Sequence, residues 1–212
     1  MEITLLQFDP KQPFSVLEKY MSVISDDRRE RIERLASEQG KVTSLLSGLV
    51  LSEVLSDRCK VGCRQLRFAY GEHGKPYLPD YPDCCFSLSH SGGYIALACD
   101  DEPVGIDIQL MSPHRQHALR FLHPAEQQSI LAADNNAEQF CRIWTMKEAY
   151  VKLTGDGMSK GFGSFNVLAM PENSFFTERI GSYMLTLCTN KFVSQPKIHT
   201  ITENELLASV FC

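Results

Sequence analysis

Four groups of residues in this chain have the types and spacings that chemistry requires. The run Val104-Gly105-Ile106-Asp107-Ile108-Gln109-Leu110 alternates as a strand, with Gly105, Asp107 and Gln109 on one face and the four aliphatic residues on the other. Residues two apart on a strand are separated by about 6.7 Å, so the Asp107 carboxylate and the Gln109 amide oxygen could share one hard cation. Magnesium would suit, with water and a phosphate as its other ligands. Gly105 on the same face leaves room for a ligand to approach the backbone. A half-exposed strand whose polar face meets water has the same pattern. The second group is FCRIWTMKEAYVKL, a helix in which Phe140, Ile143, Lys147, Tyr150 and Val151 share an arc of about 100°. Lys147 in this apolar stripe must extend to solvent or find an anion. Trp144, Cys141, Glu148 and Lys152 occupy the adjoining face. Glu148 and Lys152, one turn apart, are either part of a site or an ordinary helix pair worth roughly 0.2–0.5 kcal/mol.

The third group is RRERIER, residues 28–34, four arginines in seven positions. Arg28 and Arg31 would share a helix face as a phosphate clamp, although the interleaved acids also suit a solvated, salt-bridged surface. The fourth joins Gly74-Lys75-Pro76 to SLSHSGG, residues 87–93. Ser89, His90 and Ser91 end a strand at a Gly-Gly turn, which is either a phosphate cradle or a hairpin with a satisfied histidine. No G-x-S-x-G elbow accompanies them, which argues against a Ser–His–Asp hydrolase.

Positioning these groups is the task of the surrounding elements. ITLLQF reads as a strand and FSVLEKYMSVI as a helix. A short basic helix to about Ala36 follows, then a break near Gly40 and a buried helix from about Val42 to Leu55. RQLRFAY, CCFSLSH and GYIALAC are strand candidates, and GEHGKPYLPDYPD reads as loop. From about Pro103 the strand VGIDIQL leads to helical segments at His117–Phe121 and Ala125–Ala132 and a long helix from about Ala137 to Leu153. Strands are expected near Phe165–Ala169, Gly181–Cys188, Pro196–Thr202 and Leu206–Phe211. The predicted fold is therefore α+β, in two halves, 1–102 and 103–212, each a small mainly antiparallel sheet with helices.

The 212 residues are 43% hydrophobic and 22% charged, enough for a buried core and unlike a disordered chain. No apolar run approaches the roughly 18 residues of a membrane helix, and MEITLLQFDPKQPF lacks the basic start of a signal peptide. With 21 Lys and Arg against 26 Asp and Glu, the net charge of −5 argues against general nucleic-acid binding. The eight cysteines form no C-x-x-C pair, so reduced, mostly buried thiols are expected rather than zinc ligands or a secreted disulfide framework. These features point to the cytoplasm.

Taken in order, the four groups resemble the Sfp-type 4′-phosphopantetheinyl transferases, the larger bacterial kind that activates nonribosomal peptide and polyketide synthases. Two family signatures carry the resemblance. The G-[IV]-D-x-[EQ] strand is Gly105-Ile106-Asp107-Ile108-Gln109, and the W-x-x-K-E-[AS]-x-x-K helix runs from Trp144 to Lys152. The resemblance implies two halves related by a pseudo-twofold, with coenzyme A in the cleft between them and Mg²⁺ as cofactor. Asp107, Gln109 and Glu148 would hold the metal against the pyrophosphate, and Lys152 would help neutralise it. Arg28 and Arg31, with Ser44 and His90, would hold the 3′-phosphate. Lys75, Pro76 and Ser89 would form the adenine side. Trp144 and Lys147 would support the site.

The implied acceptor is a serine of an apo carrier protein of a nonribosomal peptide, polyketide or fatty-acid synthase, served by a monomer. The carrier would dock near Met111 to Leu131, with Met111, Leu119, Phe121 and Leu122 as apolar contacts. His114, Arg115, His117, Arg120 and His123 would add a positive fringe. Two positions depart from the family. Many relatives have glutamate where Gln109 stands, and often a basic residue where Thr43 precedes Ser44. Two other classes stand beside this one: an inactive carrier-binding protein, which only these departures support, and a magnesium-dependent hydrolase of nucleotide pyrophosphates using the same cleft.

Overall fold

The pair Leu5-Leu6 of ITLLQF and the run Ile95–Cys99 of YIALAC are apolar at consecutive rather than alternate positions, the pattern of strands covered on both faces. In the computed structural model, which describes residues 1–112, 118–157, 161–171, 174–191 and 195–210, they lie at the centre of the molecule. The first half contains β1 (Glu2–Gln7), α1 (Phe14–Leu17), α2 (Asp26–Glu33), α3 (Glu38–Cys59), β2 (Ala69–Tyr70), β3 (Pro76–Tyr77), β4 (Cys85–Ser91) and β5 (Tyr94–Asp100). The second contains β6 (Val104–Leu110), α4 (Pro124–Leu131), α5 (Asn136–Thr154), β7 (Phe175–Ile180), β8 (Tyr183–Thr189), β9 (Lys197–Thr202) and α6 (Glu203–Ser209).

Two sheets result. The first has the order β4-β5-β1-β9 and the second β6-β8-β7. All their pairings are antiparallel except β1 with β9, which is parallel. One face of the first sheet, through Leu6, Ile95 and Leu97, packs on α3 at Leu45, Leu46 and Leu49. Its other face, through Ile3, Leu5, Ala96 and Ala98, meets Ile106, Ile108, Leu185 and Leu187 of the second sheet. The second sheet is backed by α5. The result is a four-layered α+β sandwich, helix on sheet on sheet on helix. Among the described residues no helix is long and apolar enough to cross a membrane.

Several expected elements differ from the observed ones. The helix break falls at Ser37 rather than Gly40: the Ser37 hydroxyl accepts the Gly40 N–H at 3.0 Å, so Gly40 lies in the first turn of α3. The loop 71–83 contains β3, which pairs with β2. Residues 165–169 are not a strand but a turn of 3₁₀ helix at Val167–Ala169, where the Asn166 side chain accepts the Leu168 N–H. The expected strand at 206–211 is helix α6, with Phe211 outside the described residues. Thr202 caps it and Glu205 reaches back in a capping box. Strand β7 went unanticipated. The end of the chain does not stay with its own half in space, since β9 joins β1 and Leu206 enters the core of the first sheet.

Gly105 does not open a ligand channel. A Cβ there would overlap the Ala149 carbonyl oxygen and lie 2.5 Å from the Leu153 nitrogen, so glycine is what allows α5 to lie directly on β6. Gly105→Ala is expected to destabilise the fold by about 3 kcal/mol or more, because backbone must move. Urea denaturation would measure this, and an unchanged midpoint would contradict the packing argument.

Candidate active site

Strands β4 and β6 are the facing edges of the two sheets, and hydroxyl groups bridge them. Ser87, Ser89 and Ser91 share one side of β4. Ser87 Oγ accepts the Ile106 N–H at 3.1 Å, and Ser91 Oγ accepts the Leu110 N–H at 2.9 Å and the Gln109 amide at 3.0 Å. Between them, Ser89 donates to Asp107 Oδ1 at 2.7 Å. Ser91, read from the sequence as part of a phosphate cradle or a hairpin, instead joins the strands, and Ser87 was given no role, although the period-two serines of SLSHS are the signal that marks it.

Asp107 is 5% exposed. Its Oδ1 also accepts from Lys152 Nζ at 2.7 Å, whereas its buried Oδ2 has no hydrogen-bond partner. A buried carboxylate oxygen without a partner costs about 1–3 kcal/mol, more for a charged group, and calls for an explanation such as a bound ion. Beside it lies a cavity of ≈ 400 Å³ lined by Ser89, Asp107, Gln109, Trp144, Glu148 and Lys152, with Leu88, His90 and Ile108. Glu148 and Lys152 come from the face of α5 that turns toward β6. Two carboxylates and an amide oxygen are hard donors of the kind magnesium prefers. Among the described residues no three His, Cys, Asp or Glu side chains converge into a complete metal cage. Such a set leaves water and substrate phosphate to complete a coordination shell, as magnesium sites commonly do.

A second cavity of ≈ 720 Å³ adjoins the first and shares Leu88, His90, Glu148 and Lys152 with it. Arg28, Arg31, Ser44, Lys75 and Pro76 line it, as do Tyr70, His73 and Gly74 of the adjoining loop. Four cationic side chains face it and Glu148 is the one carboxylate in its lining, on a chain whose net charge is −5. That concentration of positive charge suits a polyanion. Arg28 Nη1 donates to the Ser44 carbonyl at 3.3 Å. Burial lowers the Arg28 pKa from its ordinary value, Tyr70 opposes the shift and Arg31 adds to it. Lys75, also lowered by burial, donates to the carbonyls of Val104 and Leu153 at 3.2 and 3.4 Å. It thereby joins the two halves at the C-terminal end of α5, where a cation is favoured. Burial, and then the Lys152 ammonium, lower the His90 pKa, while Asp107 acts in the opposite direction.

Lys147 has found its anion. It is fully buried, 2.9 Å from the equally buried Glu126, and donates to the carbonyls of Phe162 and Phe165 at 2.6 and 2.7 Å. Glu126 in turn accepts the Val167 N–H at 2.8 Å. The pair ties α4, α5 and the 162–167 segment together behind the site. Trp144 stacks on Phe140 and meets Phe162 edge-on. No sequence signal linked Glu126 to Lys147. In the expected docking segment Phe121 is exposed and Leu122 is buried, while His114, Arg115 and His117 lie outside the described residues.

Both halves of the chain are similar to known proteins. A family model described as the 4′-phosphopantetheinyl transferase superfamily matches residues 103–208. Another, described as 4′-phosphopantetheinyl transferase, N-terminal, matches residues 10–102. The chain is 35% identical over 153 residues to 4′-phosphopantetheinyl transferase Sfp of Bacillus subtilis (strain 168), covering 71% of this chain and 68% of the relative. It is 29% identical over 224 aligned positions to 4′-phosphopantetheinyl transferase psf-1 of Bacillus pumilus, covering 97% and 96%. With 4′-phosphopantetheinyl transferase gsp of Aneurinibacillus migulanus it shares 28% identity over 194 residues, covering 90% and 75%. Matched across both halves, with a cationic cavity opening onto a carboxylate site, the chain belongs to the 4′-phosphopantetheinyl transferase superfamily and is a transferase that uses coenzyme A to modify carrier proteins.

Proposed function

We propose that the two cavities together hold coenzyme A, with the 3′-phosphate and adenine in the larger one and the pyrophosphate across Lys152 into the smaller. The observation that carries this reading is the unpartnered, buried Oδ2 of Asp107, which lines the smaller cavity beside the shared Lys152. Asp107, Glu148 and Gln109 would hold Mg²⁺. The ion, when bound, would neutralise the pyrophosphate and ease charge onto the leaving oxygen.

The remaining chemistry falls to the chain itself. Glu148, which borders both cavities, accepts the proton of the carrier serine hydroxyl, directly or through a water. The serine oxygen bonds the phosphorus bearing pantetheine, the bond from that phosphorus to the bridging oxygen breaks, and adenosine 3′,5′-bisphosphate leaves. Lys152, positioned by Asp107, places positive charge beside that bridging oxygen. Arg28, Arg31, Ser44 and His90 bind the 3′-phosphate, and Lys75 and Pro76 border the adenine; Ser89, expected on that side, lines the smaller cavity instead and donates to Asp107.

The acceptors are carrier domains of nonribosomal peptide, polyketide or fatty-acid synthases. One chain supplies both walls of each cavity, which supports a monomer. The described cysteines are all free thiols, which supports the reducing cytoplasm as the setting. Intact-mass measurement of an apo carrier protein incubated with this protein, coenzyme A and Mg²⁺ tests the reading. A gain of one phosphopantetheine that EDTA abolishes is expected. A gain that is indifferent to EDTA would remove the metal from the account, and release of phosphopantetheine without any carrier would indicate a hydrolase. Gln109→Glu, which adds a formal charge, is expected to lower the magnesium concentration for half-maximal rate several-fold. An unchanged requirement would show that Gln109 does not contact the metal.

A further inference from the structure

Helix α3 carries a glycine at its centre that no turn requires. Gly48 lies well inside the span Glu38–Cys59, and its φ is not positive. Glycine inside a helix costs about 0.8–1 kcal/mol relative to alanine. The space it leaves is filled from another element: a Cβ on Gly48 would overlap Cδ of Arg28, and would lie 3.3 Å from Arg28 Nε and 3.1 Å from Ile24 Cγ2. The Arg28 stem therefore crosses α3 through a notch at Gly48. One turn earlier on the same helix, the Ser44 carbonyl takes an N–H of the guanidinium. A planar fork held this way enters the cavity in a single orientation, so little freedom is lost when it meets an anion.

We propose that Gly48 is a positioning residue: its notch seats Arg28 at the Ser44 end of the larger cavity and so sets the preference for coenzyme A over 3′-dephospho-coenzyme A. The inference rests on the reading of Arg28 as a 3′-phosphate ligand. Alanine at 48 would displace the stem, because the Cδ it meets is the movable part of the contact, and the carbonyl bond that orients the fork would be lost.

The test is calorimetric titration of both nucleotides into wild type, Gly48→Ala, Arg28→Ala and the double variant, with thermal unfolding of each. Gly48→Ala is expected to weaken coenzyme A binding about tenfold, as for the loss of a charge-assisted contact, and to leave 3′-dephospho-coenzyme A within about twofold. Its melting temperature should fall by no more than a few degrees, since alanine favours the helix while Ile24 Cγ2, 3.1 Å from the new methyl group, must give slightly. In the Arg28→Ala background the Gly48→Ala change should have no further effect on either nucleotide. Equal weakening of both nucleotides, or the same Gly48→Ala effect without Arg28, would overturn the proposal. If Arg28→Ala itself leaves the ratio of the two affinities at the wild-type value, the assignment of Arg28 to the 3′-phosphate fails instead.

Discussion

Asp107→Asn is expected to lower phosphopantetheine transfer by about a thousandfold or more while leaving the protein folded. Asp107 combines an ion pair to Lys152 with a second oxygen that is buried and unpartnered. For stability alone this is a poor arrangement, because the orphaned oxygen costs free energy that an amide would partly recover. Lys152 is 28% exposed along its side chain and can turn toward water once its partner is neutral. Stability should therefore change by no more than about 1–2 kcal/mol. Catalysis should suffer far more, since the variant would remove charge from the proposed cation site and release the lysine from the place proposed for it beside the pyrophosphate. Urea denaturation and turnover on an apo carrier separate the two effects. A variant that loses stability but keeps its turnover would make Asp107 a structural ion-pair residue.

Glu148→Gln should slow the chemical step by about 10²- to 10⁴-fold, the range for removal of a general base. The substitution keeps the side chain's shape at a half-buried position, so the fold should be unaffected. Coenzyme A binding measured in EDTA should stay close to wild type, because the larger cavity keeps all its cations. Single-turnover rates with saturating coenzyme A report the chemical step directly. Wild-type turnover in the variant would exclude Glu148 from both metal binding and proton transfer.

Much of the site was legible because its residues are set by local periodicity. A strand places Asp107 and Gln109 on one face, and a helix places Glu148 and Lys152 one turn apart, wherever the rest of the chain goes. The residues that oppose them are brought by tertiary contacts that no period encodes. Ser87 and Ser91 acquire their role only because the edges of two sheets meet, and Glu126 only because α4 packs against α5. Gly105 was legible as a glycine that something must approach closely. That the approaching group is the backbone of α5 rather than a ligand follows from packing. The errors near the C-terminus have a similar origin. The apolar run from Leu206 suggested a strand, but Thr202 and Glu205 form a capping box that the sequence already displayed. The parallel pairing of β9 with β1 joins segments nearly the whole chain apart, and local reasoning has no access to it. In the 162–169 segment the carbonyls of Phe162 and Phe165 are claimed by a buried lysine instead of a neighbouring strand.

In the proposed site, Asp107 and Glu148 hold a divalent cation in the smaller cavity. Titration of Mn²⁺ into the protein with bound coenzyme A, followed by the free-ion electron paramagnetic resonance signal, addresses it most directly. Wild type should take up one Mn²⁺ per chain, and Asp107→Asn and Glu148→Gln should each weaken that uptake at least tenfold while still binding coenzyme A. Mn²⁺ uptake by Asp107→Asn equal to wild type would contradict the claim.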